Sequence, residues 1–291
     1  MLGLETETHG GGRGGSPIKG GRGESPIKGG RGESPAERPR ARAVRVGALT
    51  VGADRPCLVA GPCAVESGFA EHAEALASLG VDGLRANVFK PRTRPESFQG
   101  LGADALPLLA EARARTGLPL FTEVLAPEEA EQVGDLADCL WVGARNMQNF
   151  RLLEALGEIG KPVLLKRGMG ATVDEWVGAS EYVRRRGNDD VILCERGIRT
   201  FEPRTRNTLD VSAIVVVREL TDLPVLVDPS HAAGNRAWVP ALARAGLAAG
   251  ADGLLVEAHP SPAAAWSDGD QAIDLDACAG LVADTRRMPW P

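Results

Sequence analysis

No stretch of the 291 residues approaches the ~18 consecutive apolar residues that a membrane-spanning helix needs. The segment Met1–Arg22 lacks the apolar h-region of a secretory signal. Cysteine is scarce: five residues, an odd number at irregular spacing, which argues against a disulfide framework and for a reducing, cytoplasmic setting. Basic residues are outnumbered, and the net charge of −6 argues against a nucleic-acid-binding body. Local metal-ligand spacings such as HxxxH are missing, as is the glycine-rich first turn of a doubly wound dinucleotide-binding sheet. What remains is an ordinary globular composition, 43% hydrophobic and 25% charged, enough for a large core.

The charge is unevenly spread. Residues 1–44 carry eight basic and five acidic side chains, a net +3, which leaves −9 for the remainder. This segment holds a repeat with a nine-residue step: GGRGGSP at Gly11–Pro17, then GGRGESP at Gly20–Pro26 and Gly29–Pro35. With almost nothing apolar to bury, it cannot offset its ordering entropy, and a disordered tail over 1–44 is expected. An RGG-like element touching RNA is one reading. A solvated extension is the other, favoured because one arginine per repeat is a thin electrostatic footprint. No nucleic-acid or membrane partner is therefore expected.

From Arg55 the pattern changes to short β-branched runs alternating with Ala/Leu/Glu-rich stretches of helical period. Eight strands are expected, at Cys57–Ala60, Gly83–Ala86, Pro119–Thr122, Cys139–Val142, Pro162–Lys166, Val191–Cys194, Pro224–Val227 and Gly253–Val256. The expected helices are Phe69–Leu79, Ala103–Arg115, Pro127–Leu136, Phe150–Ile159, Thr172–Arg185, Leu209–Glu219, Trp238–Ala249 and Ile273–Arg287. Eight strand–helix units in this length match an α/β (β/α)₈ TIM barrel over 45–291. In such a barrel chemistry sits where strands end, and the residues after these strands are unusually polar and charged. Each such motif alone would pass as loop punctuation.

Two constellations result. Arg85, Lys90, Arg92, Arg145, Lys166 and Arg196 form a cationic set that needs a polyanionic ligand, unless they are spent on ion pairs with Glu66, Glu123 and Glu195. Cys63, His231, Glu257 and Asp268 offer a thiolate, an imidazole and two carboxylates from the first, seventh and eighth strand ends. Such donors suit a borderline divalent transition ion better than Mg²⁺. Three alternatives stay open on the residues alone: Cys63 as buried filler, His231 as a base or a loop histidine, and a simple Glu257–His259 pair.

Several motifs occur in order: GPCAVES (Gly61–Ser67), FKPRT (Phe89–Thr93), GARNMQN (Gly143–Asn149), LLKRGM (Leu164–Met169), CERGIRTFE (Cys194–Glu202), DPSHAAG (Asp228–Gly234) and EAHPSPAAAWSDGDQ (Glu257–Gln271). Together they resemble the type I 3-deoxy-7-phosphoheptulonate (DAHP) synthases, in the subgroup related to the 3-deoxy-manno-octulosonate 8-phosphate (KDO8P) synthases, from about Val46 onward. The resemblance implies a (β/α)₈ barrel that condenses phosphoenolpyruvate with erythrose 4-phosphate at the head of the shikimate pathway. It implies that Arg85, Lys90, Arg145, Lys166, Arg196 and the backbone of Ala144 hold phosphoenolpyruvate. Pro91, Arg92, Thr93 and Asp228 would meet the aldose phosphate. Cys63, His231, Glu257 and Asp268 would bind a divalent metal ion, Mn²⁺ first and Fe²⁺, Co²⁺ or Zn²⁺ otherwise. Lys90 would move a proton near the aldehyde, and Glu123 would orient water. A homodimer or homotetramer is expected.

Ala86-Asn87-Val88 and Arg94 depart from the family pattern, which keeps a modified tetrose phosphate open as substrate. Arabinose 5-phosphate is the other alternative, and Pro91-Arg92-Thr93 argues against it. A non-catalytic barrel would be expected to have lost cations or ligands, and none is missing. Nothing before Val46 can fold as a ferredoxin-like or chorismate-mutase domain. Weak or no inhibition by phenylalanine, tyrosine or prephenate is expected in consequence.

Overall fold

The computed structural model describes residues 41–90 and 96–288. The chain enters through an antiparallel hairpin, β1 (Val44–Val46) and β2 (Leu49–Val51). It then alternates strand and helix: β3 (Cys57–Gly61), α1 (Phe69–Leu79), β4 (Gly83–Arg85), α2 (Leu106–Thr116), β5 (Leu120–Glu123), α3 (Pro127–Val133), β6 (Cys139–Val142) and α4 (Phe150–Ile159). The second half follows as β7 (Val163–Lys166), α5 (Val173–Arg184), β8 (Val191–Glu195), α6 (Val211–Leu220), β9 (Val225–Val227), α7 (Pro229–Ala233), α8 (Val239–Ala248), β10 (Gly253–Glu257) and α9 (Leu275–Arg287). Strands β3 to β10 are parallel in chain order, and β10 pairs with β3 to close the barrel.

The eight strands lie within one residue of where the hydrophobic pattern puts them: β3, β5, β8 and β10 run one residue further, β4 stops one short, and three starts differ. Pro119, Pro162 and Pro224, expected as first strand residues, stand just outside β5, β7 and β9. Proline has no N–H for the ladder. Its carbonyl still serves: Pro119, Pro162 and Pro224 accept from the amides of Leu84, Leu140 and Leu193 at 2.9, 3.0 and 2.8 Å. Two elements went unread in the sequence. The hairpin is too short for its alternation to register, and Val44, assigned to the tail by composition, is fully buried in it. Helix α7 is a five-residue turn hidden inside the DPSHAAG loop.

Strand parity organises the core. Side chains alternate across a strand. Leu58, Leu84, Leu120, Leu140, Leu165, Leu193, Val227 and Leu254 belong to the larger core shared with the helices. The other parity fills the barrel: Val59, Phe121, Trp141, Leu164, Ile192, Cys194, Leu226 and Leu255 pack with Val44, Val46 and Val51 of the hairpin. Helix starts are fastened by side-chain caps, among them Asn149 on α4, the Thr172–Glu175 capping box on α5 and Asp274 on α9. Among the described residues, no helix is long and apolar enough to cross a membrane.

Candidate active site

The functional side chains continue the inward parity by one more step of two residues. Phe121 leads to Glu123, Leu164 to Lys166, Cys194 to Arg196, Leu226 to Asp228 and Leu255 to Glu257. Gly83 likewise leads to Arg85. A layer of charged groups therefore sits directly on an apolar floor at the C-terminal end of the barrel. Two inward positions are glycine for a steric reason: a Cβ on Gly61 would lie 2.5 Å from the Arg85 carbonyl oxygen, and one on Gly143 would collide with the Glu123 carboxylate. Trp141 forms the centre of the floor, with the Arg85 guanidinium and Lys166 ammonium 5.3 and 4.8 Å from its ring centroid.

Above this floor lies a cavity of about 260 Å³. Arg85, Lys90, Glu123, Ala144, Arg145, Lys166, Arg196, His231 and Asp268, all singled out in the sequence, contribute to its wall. Three of the cations pair with carboxylates other than Glu66, Glu123 and Glu195. Arg85 pairs with Glu257 at 3.0 Å, Lys90 with Asp268 at 2.8 Å and Lys166 with Asp228 at 2.8 Å. Glu195 has outward parity and pairs with Arg167, which also binds Asp210, the N-cap of α6. Glu66 pairs with His259, so a Glu257–His259 pair does not form. Among the described residues, guanidinium Nε and Nη1 of Arg85 and Nη1 of Arg196 are buried without a hydrogen-bond partner, as is Trp141 Nε1 in the floor. Buried donors of a charged group left unmade are costly, and a cavity edged with them calls for an anion.

Beside the cations, Cys63, His231 and Glu257 bring one donor atom each to within 4.8 Å of one another. Asp268 Oδ2 is 3.1 Å from Cys63 Sγ, and the Lys90 ammonium touches both. Asp268 adopts φ +52, the one left-handed non-glycine backbone among the described residues. His231 is aimed by Asp228: Oδ1 accepts its amide at 3.0 Å as the cap of α7, and Oδ2 lies 2.8 Å from Nδ1. That leaves Nε2 toward Glu257 Oε1, at 3.5 Å. A carboxylate behind an imidazole is the usual support of a metal-ligating histidine. With a thiol, an imidazole and two carboxylates converging, the residues fit a divalent transition ion.

The electrostatics follow from burial and neighbours. Burial pushes the Cys63 thiol up, and Glu257 adds to it. Burial also lowers His231 from 6.5 to about 4, against the pull of Asp228 and Glu257, so the imidazole is neutral and able to ligate. Burial opposes charge on Lys90, but the carboxylates of Glu257 and Asp268 help to outweigh it and hold the ammonium above its ordinary range. Asp268 goes the other way, drawn down by Lys90 despite burial.

Some expectations fall elsewhere. Pro91, Arg92 and Thr93 lie outside the described residues. Asp228, expected at the aldose phosphate, is fully buried, and its oxygens are taken by Lys166 and His231. Three contributors escaped the sequence reading as functional residues. Gln271 donates to Glu257 Oε2 at 2.6 Å and accepts from Arg206 at 2.7 Å. Asn87, noted only as a departure, donates to the Cys63 carbonyl at 3.2 Å and accepts from the Glu123 amide at 2.9 Å. Trp141 read as core. Gln271 lies within a quoted motif, and its polarity beside Asp268 was the available signal.

The model of the DAHP synthetase I family matches residues 36–286. The chain belongs to that family. It is 46% identical over 252 residues to a phospho-2-dehydro-3-deoxyheptonate aldolase of Thermotoga maritima, covering 86% of this chain and 75% of the relative. A 2-dehydro-3-deoxyphosphooctonate aldolase of Paraburkholderia xenovorans is 33% identical, covering 82% of this chain and 93% of the relative. The crystal structure of the Thermotoga DAHP synthase superposes with a TM-score of 0.82, covering 86% of this chain and 74% of that one. A truncated form of the synthase from the same organism gives 0.78 at 42% identity, covering 86% and 92%.

Proposed function

We propose that this enzyme condenses phosphoenolpyruvate with erythrose 4-phosphate and water to give 3-deoxy-D-arabino-heptulosonate 7-phosphate and phosphate. The observation that carries the reading is the juxtaposition of unpartnered buried guanidinium N–H groups with a thiol–imidazole–carboxylate cluster on one cavity. The higher identity to the heptulosonate relative, 46% against 33%, favours a tetrose phosphate over arabinose 5-phosphate.

In this reading Arg85, Arg145, Lys166, Arg196 and the Ala144 backbone hold phosphoenolpyruvate, matching its carboxylate and phosphate with guanidinium forks and an ammonium. Arg92 and Thr93 hold the aldose phosphate. Mutual repulsion of the two phosphates and the carboxylate is thereby neutralised, and the two carbons are brought into line. Cys63, His231, Glu257 and Asp268 hold a divalent ion, Mn²⁺ in the first instance, which supplies Lewis acidity toward the aldehyde oxygen. The methylene carbon of phosphoenolpyruvate attacks the aldehyde carbon, and Lys90 delivers a proton to the oxygen that becomes the new hydroxyl. Positive character on the enol-ether carbon is quenched by water, oriented by Glu123 across the cavity. Phosphate then leaves with cleavage of its bond to carbon. Asp228 orients His231 and Lys166 rather than touching substrate.

A reducing, cytoplasmic setting fits five cysteines that are all free and buried. A homo-oligomer fits the exposed apolar positions Val215, Val216 and Leu220 on α6. The deciding assay is phosphate release from phosphoenolpyruvate against erythrose 4-phosphate, arabinose 5-phosphate and amino-tetrose phosphates, with and without chelator. Turnover with erythrose 4-phosphate that chelator abolishes and Mn²⁺ restores is expected. Faster turnover of a pentose phosphate, or indifference to chelator, would overturn the reading.

A further inference from the structure

A second cluster lies beside the metal ligands: Glu66, His72 and His259, whose donor atoms also fall within 4.8 Å of one another. Its hydrogen bonds argue against an ion there. His259 Nδ1 accepts the Ser261 amide at 2.9 Å, so a neutral ring carries its proton on Nε2, which donates to Glu66 Oε1 at 2.6 Å. A cation on Nε2 would require that proton to leave and both ring nitrogens to go without one. The second oxygen, Oε2, accepts the Trp266 amide at 2.9 Å. One carboxylate, 4% exposed, thus ties the β3–α1 loop to two points of the β10–α9 loop.

Each of the three tied points lies close to a proposed ligand. Glu66 is three residues after Cys63, His259 is two after Glu257, and Trp266 is two before Asp268. The fourth ligand, His231, has its own support in Asp228. The Asp268 turn is the segment with the left-handed backbone, a conformation that persists only where surrounding contacts hold it. His72 of α1 packs edge-to-face with His259, 4.5 Å between ring centroids.

We infer that Glu66 is a positioning residue: with His259 it sets the spacing of Cys63, Glu257 and Asp268 and thereby the affinity of the ion site, without ligating. This rests on the metal reading of the site. The test is Co²⁺ titration of the full chain, read from thiolate-to-cobalt charge-transfer and d–d absorption, with circular dichroism of the apo-protein as the check on folding. Glu66→Ala and His259→Ala should each weaken Co²⁺ binding roughly ten- to a hundredfold and alter the d–d bands. His259→Gln, which keeps an Nε2–H donor toward Glu66, should bind within about threefold of wild type. Should Glu66→Ala fail to fold, the two His259 variants carry the comparison. A wild-type spectrum and affinity in Glu66→Ala would overturn the tether and leave the site intact. Failure of His259→Gln to restore binding would overturn it in favour of ring packing. No thiolate band in the wild type would overturn the site reading and the tether with it.

Discussion

Lys166→Met tests two parts of the argument at once. The substitution keeps most of the aliphatic stem against Trp141 and removes the ammonium, which is 2.8 Å from Asp228 and almost fully buried. Breaking a buried ion pair from one side costs about 3–5 kcal/mol when the remaining charge is stranded. Here Asp228 keeps the amide and the imidazole of His231, so about 3 kcal/mol is expected. For a domain of this size that lowers Tm by about 6–12 °C. The same ammonium is assigned to phosphoenolpyruvate, and one charge-assisted hydrogen bond contributes about 1.5–3 kcal/mol. KM for phosphoenolpyruvate should therefore rise roughly 10- to 150-fold, with KM for the aldose phosphate nearly unchanged. Thermal unfolding and steady-state kinetics with each substrate varied in turn provide both readouts. A KM for phosphoenolpyruvate at the wild-type value in folded protein would refute the assignment of Lys166. An unchanged Tm would refute the energetics of the pair.

Three further outcomes are expected. Because burial keeps the Cys63 thiol protonated near neutral pH, Mn²⁺ binding should release about one proton, measured by calorimetry in two buffers of different ionisation enthalpy. Cys63→Ala should bind far more weakly and release none. His231 sits at about 4 in the folded chain against 6.5 ordinarily, so between those values the unfolded state takes up a proton that the folded state refuses. Stability of the apo-protein should be full above pH 6.5 and fall by up to about 3 kcal/mol as pH drops toward 4, a slope that His231→Asn removes in urea titrations. Arg167→Met strands the fully buried Glu195 and should destabilise by about 3 kcal/mol or more; adding Glu195→Gln should recover part of the loss. Equal destabilisation of the single and double variants would contradict that coupling.

Much of the molecule was legible in local pattern. Short apolar runs and helical stretches lie within a few residues of their expected places, because a barrel strand is recognisable from its own hydrophobicity and the prolines and glycines around it. Charged residues at the strand ends were equally visible. Less legible was the side each one faces. Glu195 and Arg196 are adjacent and both charged, yet Arg196 enters the cavity while Glu195 turns outward to Arg167. Asp228, expected at the aldose phosphate, lies fully buried between Lys166 and His231, which its place in the sequence did not reveal.

The linear order of residues therefore determined the barrel, its cationic mouth and the donor types available to an ion, since these depend on composition and short-range periodicity. Tertiary structure alone decided which charges neutralise one another and which guanidinium N–H groups stay unpartnered. It alone decided that Glu66 joins its own loop to two points of the β10–α9 loop, up to 200 residues away in the chain. Those outcomes depend on strand parity around a closed barrel and on contacts between segments far apart in the chain, neither of which a local pattern can encode.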